Sequence, residues 1–377
     1  MECRRCGNKD INYFYSGSKG YYCRKCIKFS RLLIEEDLNS FNYDVNLGVE
    51  EYSFNFKLTK KQEKASSICA KSCEYSDVLL HCVCGAGKTE IVVESISNYL
   101  KKGLKVAYAI SRREVVIELE KRFKSIFKKA KVISVYGGHH DTLDGDLIVC
   151  TCHQLYRYYK TFDLLILDEV DAFPLKGNET LMNISLNSCK GKIIFSSATV
   201  DDDLKRILNK RVYKIVRLYT KPNNKPLVVP KVKYLNKELS LFYLFYLLRR
   251  MNGQCIIFVS SKRQAYLLYK LFKLFFLCTY VYSDLDDRQK NIDDFRKGKY
   301  KYIFSTSVLE RGITIPNINV VILNYYSIFD ESNLIQMLGR LQRGLNSDLG
   351  EGYIISNHRS KQIDNTIKYL KEANAYI

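Results

Sequence analysis

Six consecutive residues, Cys84-Gly85-Ala86-Gly87-Lys88-Thr89, follow the apolar run Val78–Val83 and precede the helix-like stretch Glu90–Leu100. A strand, a glycine-rich turn and a helix N-terminus in that order make a cradle of backbone N–H groups suited to phosphates. The spacing predicts that Cys84, Gly85, Ala86 and Gly87 wrap a nucleotide. Lys88 would then reach the β- and γ-phosphates, and Thr89 would put its hydroxyl on Mg²⁺. Cys82 stands where such a loop usually has its first glycine.

A second apolar run, Leu164-Leu165-Ile166-Leu167, ends in Asp168-Glu169-Val170-Asp171. A carboxylate at the end of a strand beside a phosphate loop is placed to hold Mg²⁺, which assigns Asp168 to the metal. Glu169 would orient or deprotonate the attacking water. Asp-Glu-x-Asp, rather than a lone Asp, points to a helicase-type motor. Ser197-Ala198-Thr199, after the run Lys192–Ser196, fits the hydroxyl motif that couples nucleotide state to movement, with Asp171 and Gln336 in the same role.

In the second half, Gln336 is followed by Gly339-Arg340-Leu341-Gln342-Arg343. Two arginines about one helical turn apart can neutralise charge developing on a γ-phosphate, so Arg340 and Arg343 are assigned to catalysis. Gly312, in the segment Thr306–Thr314, is assigned to the nucleotide and Thr306 to nucleic acid. These groups would meet the nucleotide only when two domains close, which makes hydrolysis contingent on closure.

Gln62, four residues after Leu58 and 26 before Lys88, is placed to read adenine, since a carboxamide pairs with both N6 and N7. Arg112 and Arg113 follow the strand-like run Lys105–Ile110, and Thr151 and His153 follow Asp146–Thr151; such strand ends commonly meet a nucleic-acid backbone. His139 and His140 have no third ligand nearby and are expected to be solvated loop residues.

Cys3-x2-Cys6 and Cys23-x2-Cys26 have the spacing of a closed, structural Zn²⁺ site with four thiolates. So short a segment depends on the metal to fold. Cys69 and Cys73, at helical spacing, are expected to be buried apolar residues.

The elements that must position these groups are legible as alternation. From Leu58 onward, helix-like stretches alternate with short apolar runs, later ones being Gln254–Val259, Tyr300–Ser305, Val320–Leu323 and Gly352–Ser356. That pattern predicts parallel α/β sheets. Lys221-Pro222-Asn223-Asn224-Lys225-Pro226 breaks it and is the linker candidate. The expected organisation is a zinc-binding module over 1–30, a connector over 31–57, a first RecA-like ATP-binding domain over 58–221 and a second over 222–377.

With 46% hydrophobic residues, the 377-residue chain can bury real cores and is not disordered. Its apolar runs, such as Leu241–Leu248, fall short of the roughly 18 residues of a membrane span. No apolar signal region follows the charged start, which predicts a cytoplasmic protein. The net charge of +20 favours a polyanionic partner. The excess is densest at the two ends: residues 1–30 carry seven basic and two acidic side chains, and 223–377 carry 23 and 13.

The order of motifs resembles a superfamily-two helicase, and its details resemble the ComFA family of competence ATPases. The residues carrying the likeness are Cys3/Cys6/Cys23/Cys26, Leu58-Thr59 with Gln62, Ala65 and Ser66, Cys84–Glu90, Asp168-Glu169-Val170-Asp171-Ala172-Phe173-Pro174 and Leu309–Pro316. Gln342 departs from the pattern where a glycine is usual. The resemblance implies an ATP-driven motor drawing single-stranded DNA into the cytoplasm during natural competence, peripheral to the inner face of the membrane. Its implied partners are the channel protein, a second ComF-operon protein and a recombination mediator. Its implied cofactors are ATP, Mg²⁺ and Zn²⁺. The same residues leave two other readings open: a primosomal, repair or RNA helicase with the same ATP site, and a DNA-binding adaptor that does not hydrolyse ATP.

Overall fold

The computed structural model describes residues 1–34, 52–223, 225–310, 315, 317–324, 328–341 and 350–376. The chain divides into two compact units, 1–82 with 88–218, and 83–87 with 219–377.

The first unit opens with a hairpin, β1 (Phe14–Gly17) and β2 (Gly20–Cys23), and then builds a seven-stranded sheet. Its strands are β3 (Asp77–Cys82), β4 (Val106–Ile110), β5 (Val132–Val135), β6 (Leu147–Thr151), β7 (Phe162–Asp168), β8 (Cys189–Ser197) and β9 (Tyr213–Leu218). They lie in the order β5-β6-β4-β7-β8-β3-β9, every neighbouring pair parallel. The helices are α1 (Lys60–Cys73), α2 (Lys88–Lys101), α3 (Arg113–Ile126), α4 (Glu179–Asn187) and α5 (Asp202–Leu208). β4 and β6 are buried at every residue, which explains why they read as unbroken apolar runs rather than alternating ones.

Register sets the site. His81 of β3 lies opposite Ser197 of β8, and Asp168 of β7 opposite Ser196. The C-terminal ends of three central strands therefore share one edge, where open parallel sheets bind ligands.

The second unit is a six-stranded sheet of β10 (Lys231–Tyr234), β11 (Cys255–Phe258), β12 (Cys278–Val281), β13 (Tyr302–Ser305), β14 (Asn319–Leu323) and β15 (Gly352–Ser356). The order is β10-β15-β14-β11-β13-β12, again parallel throughout. Its helices are α6 (Lys237–Arg250), α7 (Lys262–Phe272), α8 (Arg288–Arg296), α9 (Glu331–Leu338) and α10 (Lys361–Asn374). The architecture is two RecA-like sheets preceded by a small four-cysteine module.

Lys221 opens the presumed linker, yet it is buried and its Nζ donates to the Leu341 carbonyl at 2.6 Å. An ammonium taken out of water requires such a partner, so Lys221 is an anchored part of the second unit. Of the connector, residues 35–51 lie outside the described residues; its ends are tied to the first unit by Ile34 N–H to Tyr21 and Ser53 N–H to Ile126.

Candidate nucleotide site and zinc module

The loop between β3 and α2 turns on Gly85 and Gly87, at φ +81° and +87°. Side chains rarely adopt that left-handed conformation, so glycine is required at both positions. Cys82, by contrast, is the last residue of β3 and fully buried. A strand residue needs no positive φ, so cysteine fits where a glycine is usual; burial pushes its thiol up to about 12.

Asp168 ends β7 and is held from three sides. Its Oδ1 accepts from Ser196 Oγ at 2.7 Å and from the Glu169 N–H at 2.9 Å, and its Oδ2 accepts from Tyr108 Oη at 2.7 Å. Burial raises its pKa while the Lys88 ammonium works against that rise. The Tyr108 phenol also interacts with the Thr89 hydroxyl, and burial together with the Asp168 charge pushes its own pKa well up. Thr89 and Asp168 therefore converge on one buried phenol, and this donor set of hydroxyl and carboxylate suits magnesium. Glu169 sits at φ +56°, a conformation a non-glycine residue holds only when its surroundings impose it.

Asp171 is buried, and its Oδ2 accepts from Thr199 Oγ1 at 2.7 Å. Ser197 Oγ donates to the Thr199 carbonyl and accepts from the Thr199 N–H. The His81 Nε2 lies 3.1 Å from the Ala198 carbonyl, and burial lowers its pKa. The structure thus brings Asp-Glu-x-Asp and Ser197-Ala198-Thr199 together through a direct side-chain bond.

Gln62 is buried in the first turn of α1. Its Oε1 accepts from the Thr59 N–H at 3.0 Å, and its own N–H reaches Thr59 Oγ1 at 3.3 Å, a complete capping box. That duty fixes the carboxamide in place whether or not it reads adenine. In the second unit, Gln336 and Arg340 are buried at and just beyond the end of α9. Among the described residues, Gln336 Oε1 has no hydrogen-bond partner. Gly312 and Arg343, with Gln342, lie outside the described residues.

The four cysteines form a closed cluster that could hold zinc. Their sulfurs all lie within 4.8 Å of one another and are buried. Cys3–Cys26 and Cys6–Cys23 are 3.7 and 3.8 Å apart, matching the edge of about 3.8 Å of a tetrahedron with metal–sulfur bonds of about 2.3 Å. Arg5 was not foreseen here. It is buried, with its guanidinium on the Cys26 sulfur at 3.2 Å and on the carbonyls of Cys26, Phe29 and Ser30. One of the module's basic residues thus points inward rather than toward a polyanion.

The module is docked on the first sheet. Its cysteines join the apolar core of that unit, Asn187 Nδ2 donates to the carbonyls of Arg4 and Arg5, and Lys25 pairs with Glu179 at 3.4 Å. Phe29 lies against the rings of His153 and Tyr156. His153 is therefore a module contact, and burial lowers its pKa. Thr151 is buried at the end of β6. Arg112 and Arg113 open α3, with Arg113 stacked on Tyr136 at 4.8 Å, and Thr306 follows β13. His139 and His140 are exposed, His139 against Tyr136, and Cys69 and Cys73 are buried in α1.

Residues 59–207 match the DEAD/DEAH box helicase family, and residues 230–344 match the helicase conserved C-terminal domain. Among solved structures, Saccharomyces cerevisiae Dbp5 bound to RNA and ADP BeF3 is similar with a TM-score of 0.63 at 21% identity, over 85% of this chain and 88% of that one. Mycobacterium smegmatis helicase Lhr, bound to ssDNA and AMP-PNP, is similar with a TM-score of 0.61 at 16% identity, over 84% and 48%. These two likenesses concern the fold. Competence protein ComFA of Bacillus subtilis (strain 168) is 31% identical over 99% of this chain and 85% of its own length. The Streptococcus pneumoniae protein of that name (strain ATCC BAA-255 / R6) is 30% identical over 99% and 90%. With two helicase sheets, a glycine-rich loop after β3, an anchored aspartate at the end of β7 and a four-cysteine module all inside that full-length match, the chain belongs to the ComFA family of competence-associated, helicase-like ATPases.

Proposed function

We propose that this protein hydrolyses ATP to ADP and phosphate to move single-stranded DNA into the cytoplasm during natural competence. The observation that carries the reading is the Asp168 network, in which Tyr108, Ser196 and the Glu169 N–H fix a carboxylate that shares a buried phenol with Thr89.

In this reading the loop Cys84–Gly87 and Lys88 hold the phosphates, and Gln62 faces the adenine. Thr89 and Asp168 hold magnesium, which supplies positive charge against the phosphate oxygens. Glu169 orients the attacking water and takes its proton. Arg340 and Arg343 neutralise charge developing on the γ-phosphate, and Gly312 binds the nucleotide. The bond from Thr199 to Asp171 passes the change at the phosphates to the loop after β8, with Gln336 in the same relay. Arg112, Arg113 and Thr306 contact the DNA backbone, whereas His153 is engaged by the cysteine module and Thr151 is buried, which leaves them a positioning part in that surface. The four thiolates hold zinc, which supplies the cross-link that keeps the module folded. The same reading places the protein in the cytoplasm at the inner face of the membrane, working with a channel protein, a second ComF-operon protein and a recombination mediator.

The test is steady-state ATP turnover with no nucleic acid, single-stranded DNA, duplex DNA and RNA. Stimulation by single-stranded DNA alone is the expected result. Equal or greater stimulation by RNA would identify an RNA helicase, and no turnover with any of them would identify a non-hydrolysing adaptor.

A further inference from the structure

The second unit carries apolar side chains on the outside of two adjacent helices. On α6, Phe242 and Tyr246 face solvent, one turn apart; on α7 and the turn beyond it, Leu267, Leu271, Leu274 and Phe275 do the same. Phe242 is 75% exposed, Leu274 71% and Phe275 62%, values far from those of core residues. The two helices form one surface, because the Phe245 ring lies 5.3 Å from those of both Phe275 and Phe276. Each helix also has a buried apolar face, supplied by Leu244 and Leu247 on α6 and by Leu268 and Phe272 on α7. The outward residues are therefore surplus to the core, and apolar patches of this kind mark interaction sites.

Charge selects the occupant. Residues 237–277, which contain both helices, hold seven basic side chains and one acidic. The cations border the apolar face, with Arg250 over the Tyr246 ring at 5.3 Å, Lys270 over Tyr266 at 4.8 Å and Lys273 over Tyr269 at 5.4 Å. A second copy would set like charges against like. A nucleic acid would satisfy the cations but offers nothing to Leu267, Leu271 and Leu274. A surface that is apolar within and anionic at its border satisfies both, and that is the chemistry of an anionic lipid bilayer.

We propose that α6 and α7 form a direct docking face for anionic membrane, seating the second unit on lipid without an intermediary protein. The proposal rests on the membrane-peripheral placement in the function proposed above, but its test needs neither ATP nor DNA, so the two can fail separately.

The full-length, zinc-loaded protein is floated with vesicles of phosphatidylcholine, with and without phosphatidylglycerol. Expected are binding to the anionic vesicles and at least about tenfold weaker binding to neutral ones, declining with salt. A Leu271→Glu/Leu274→Glu variant should lose binding to a similar extent while keeping its melting temperature and ATP turnover. Lys270→Glu/Lys273→Glu, which leaves the apolar stripe intact, should bind anionic vesicles no better than neutral ones. Vesicle binding unchanged in both variants, or none by the parent protein, would overturn the proposal. Loss of self-association or of single-stranded DNA affinity in the leucine variant, with no vesicle binding by the parent, would also overturn it, in favour of a second copy or of nucleic acid.

Discussion

The Asp171 carboxylate accepts the Thr199 hydroxyl at 2.7 Å, joining the loop after β7 to the loop after β8. In the proposed function these loops follow the strands that carry the nucleotide site, and the bond ties two neighbouring strands together there. Thr199→Val should leave ATP turnover near the parent level and reduce DNA movement by about tenfold, the loss of a buried bond of roughly 1.4 kcal/mol. A strand-displacement or translocation assay run beside a phosphate-release assay measures the separation; equal loss in both would show that the bond serves the chemistry itself.

Lys88→Ala or Glu169→Gln should abolish hydrolysis while single-stranded DNA binding persists. Phosphate release and fluorescence anisotropy on the same preparations provide the readouts. Normal turnover by either variant would remove that residue from the site.

Tyr108→Phe deletes one of the three donors on Asp168 and the contact with Thr89. Removing a buried hydrogen-bonding partner costs about 1–3 kcal/mol. The expected outcome is a lower melting temperature together with a higher magnesium concentration for half-maximal turnover. A stability loss with an unchanged magnesium profile would assign the phenol to packing alone.

Removal of zinc, by chelation or by Cys3→Ser/Cys6→Ser, should unfold residues 1–30 and expose the surface of the first unit, with His153, Tyr156 and Asn187, that the module now covers. Calorimetry should show a lower transition for the first unit, and ATP binding should survive at low temperature. Complete loss of ATP binding would mean that the module is structural to the nucleotide site.

Burial lowers the pKa of His81, while the hydrogen bond to the Ala198 carbonyl works against that fall. Its folded pKa lies below the ordinary value of about 6.5, so the unfolded chain takes up the proton first. Stability should therefore fall as pH drops below about 6.5. His153, lowered by the same cause, adds to the trend. His81→Gln should flatten the dependence of melting temperature on pH between about 7 and 5; an unchanged slope would place the effect elsewhere.

The strands that carry the site were legible because burial on both faces makes them continuous apolar runs ending in polar motifs. β3, β4, β6, β7, β8 and β15 begin and end within three residues of the runs that announce them. β5, β9, β10 and β12 were not among the runs, and all four lie at the edges of their sheets; β9 and β10 interleave lysine or arginine with apolar residues, as exposed edges do, and β5 and β12 are only four residues long. Tyr108 escaped notice because a tyrosine inside an apolar strand looks like core; only the pairing of β4 beside β7 shows what its hydroxyl meets. Arg5 looked like one more surface cation, and its inward course depends on where Cys26 and Phe29 return.

The cysteine module shares its apolar centre with the sheet it leans on, and its backbone carbonyls are held by an asparagine from α4. It is consequently no detachable cassette: grafted onto another protein it would lack a floor, and cut away it would leave a dry surface open to aggregation. If zinc fills the cluster as proposed, metal supply bears on the soundness of the first unit as well as on its first thirty residues.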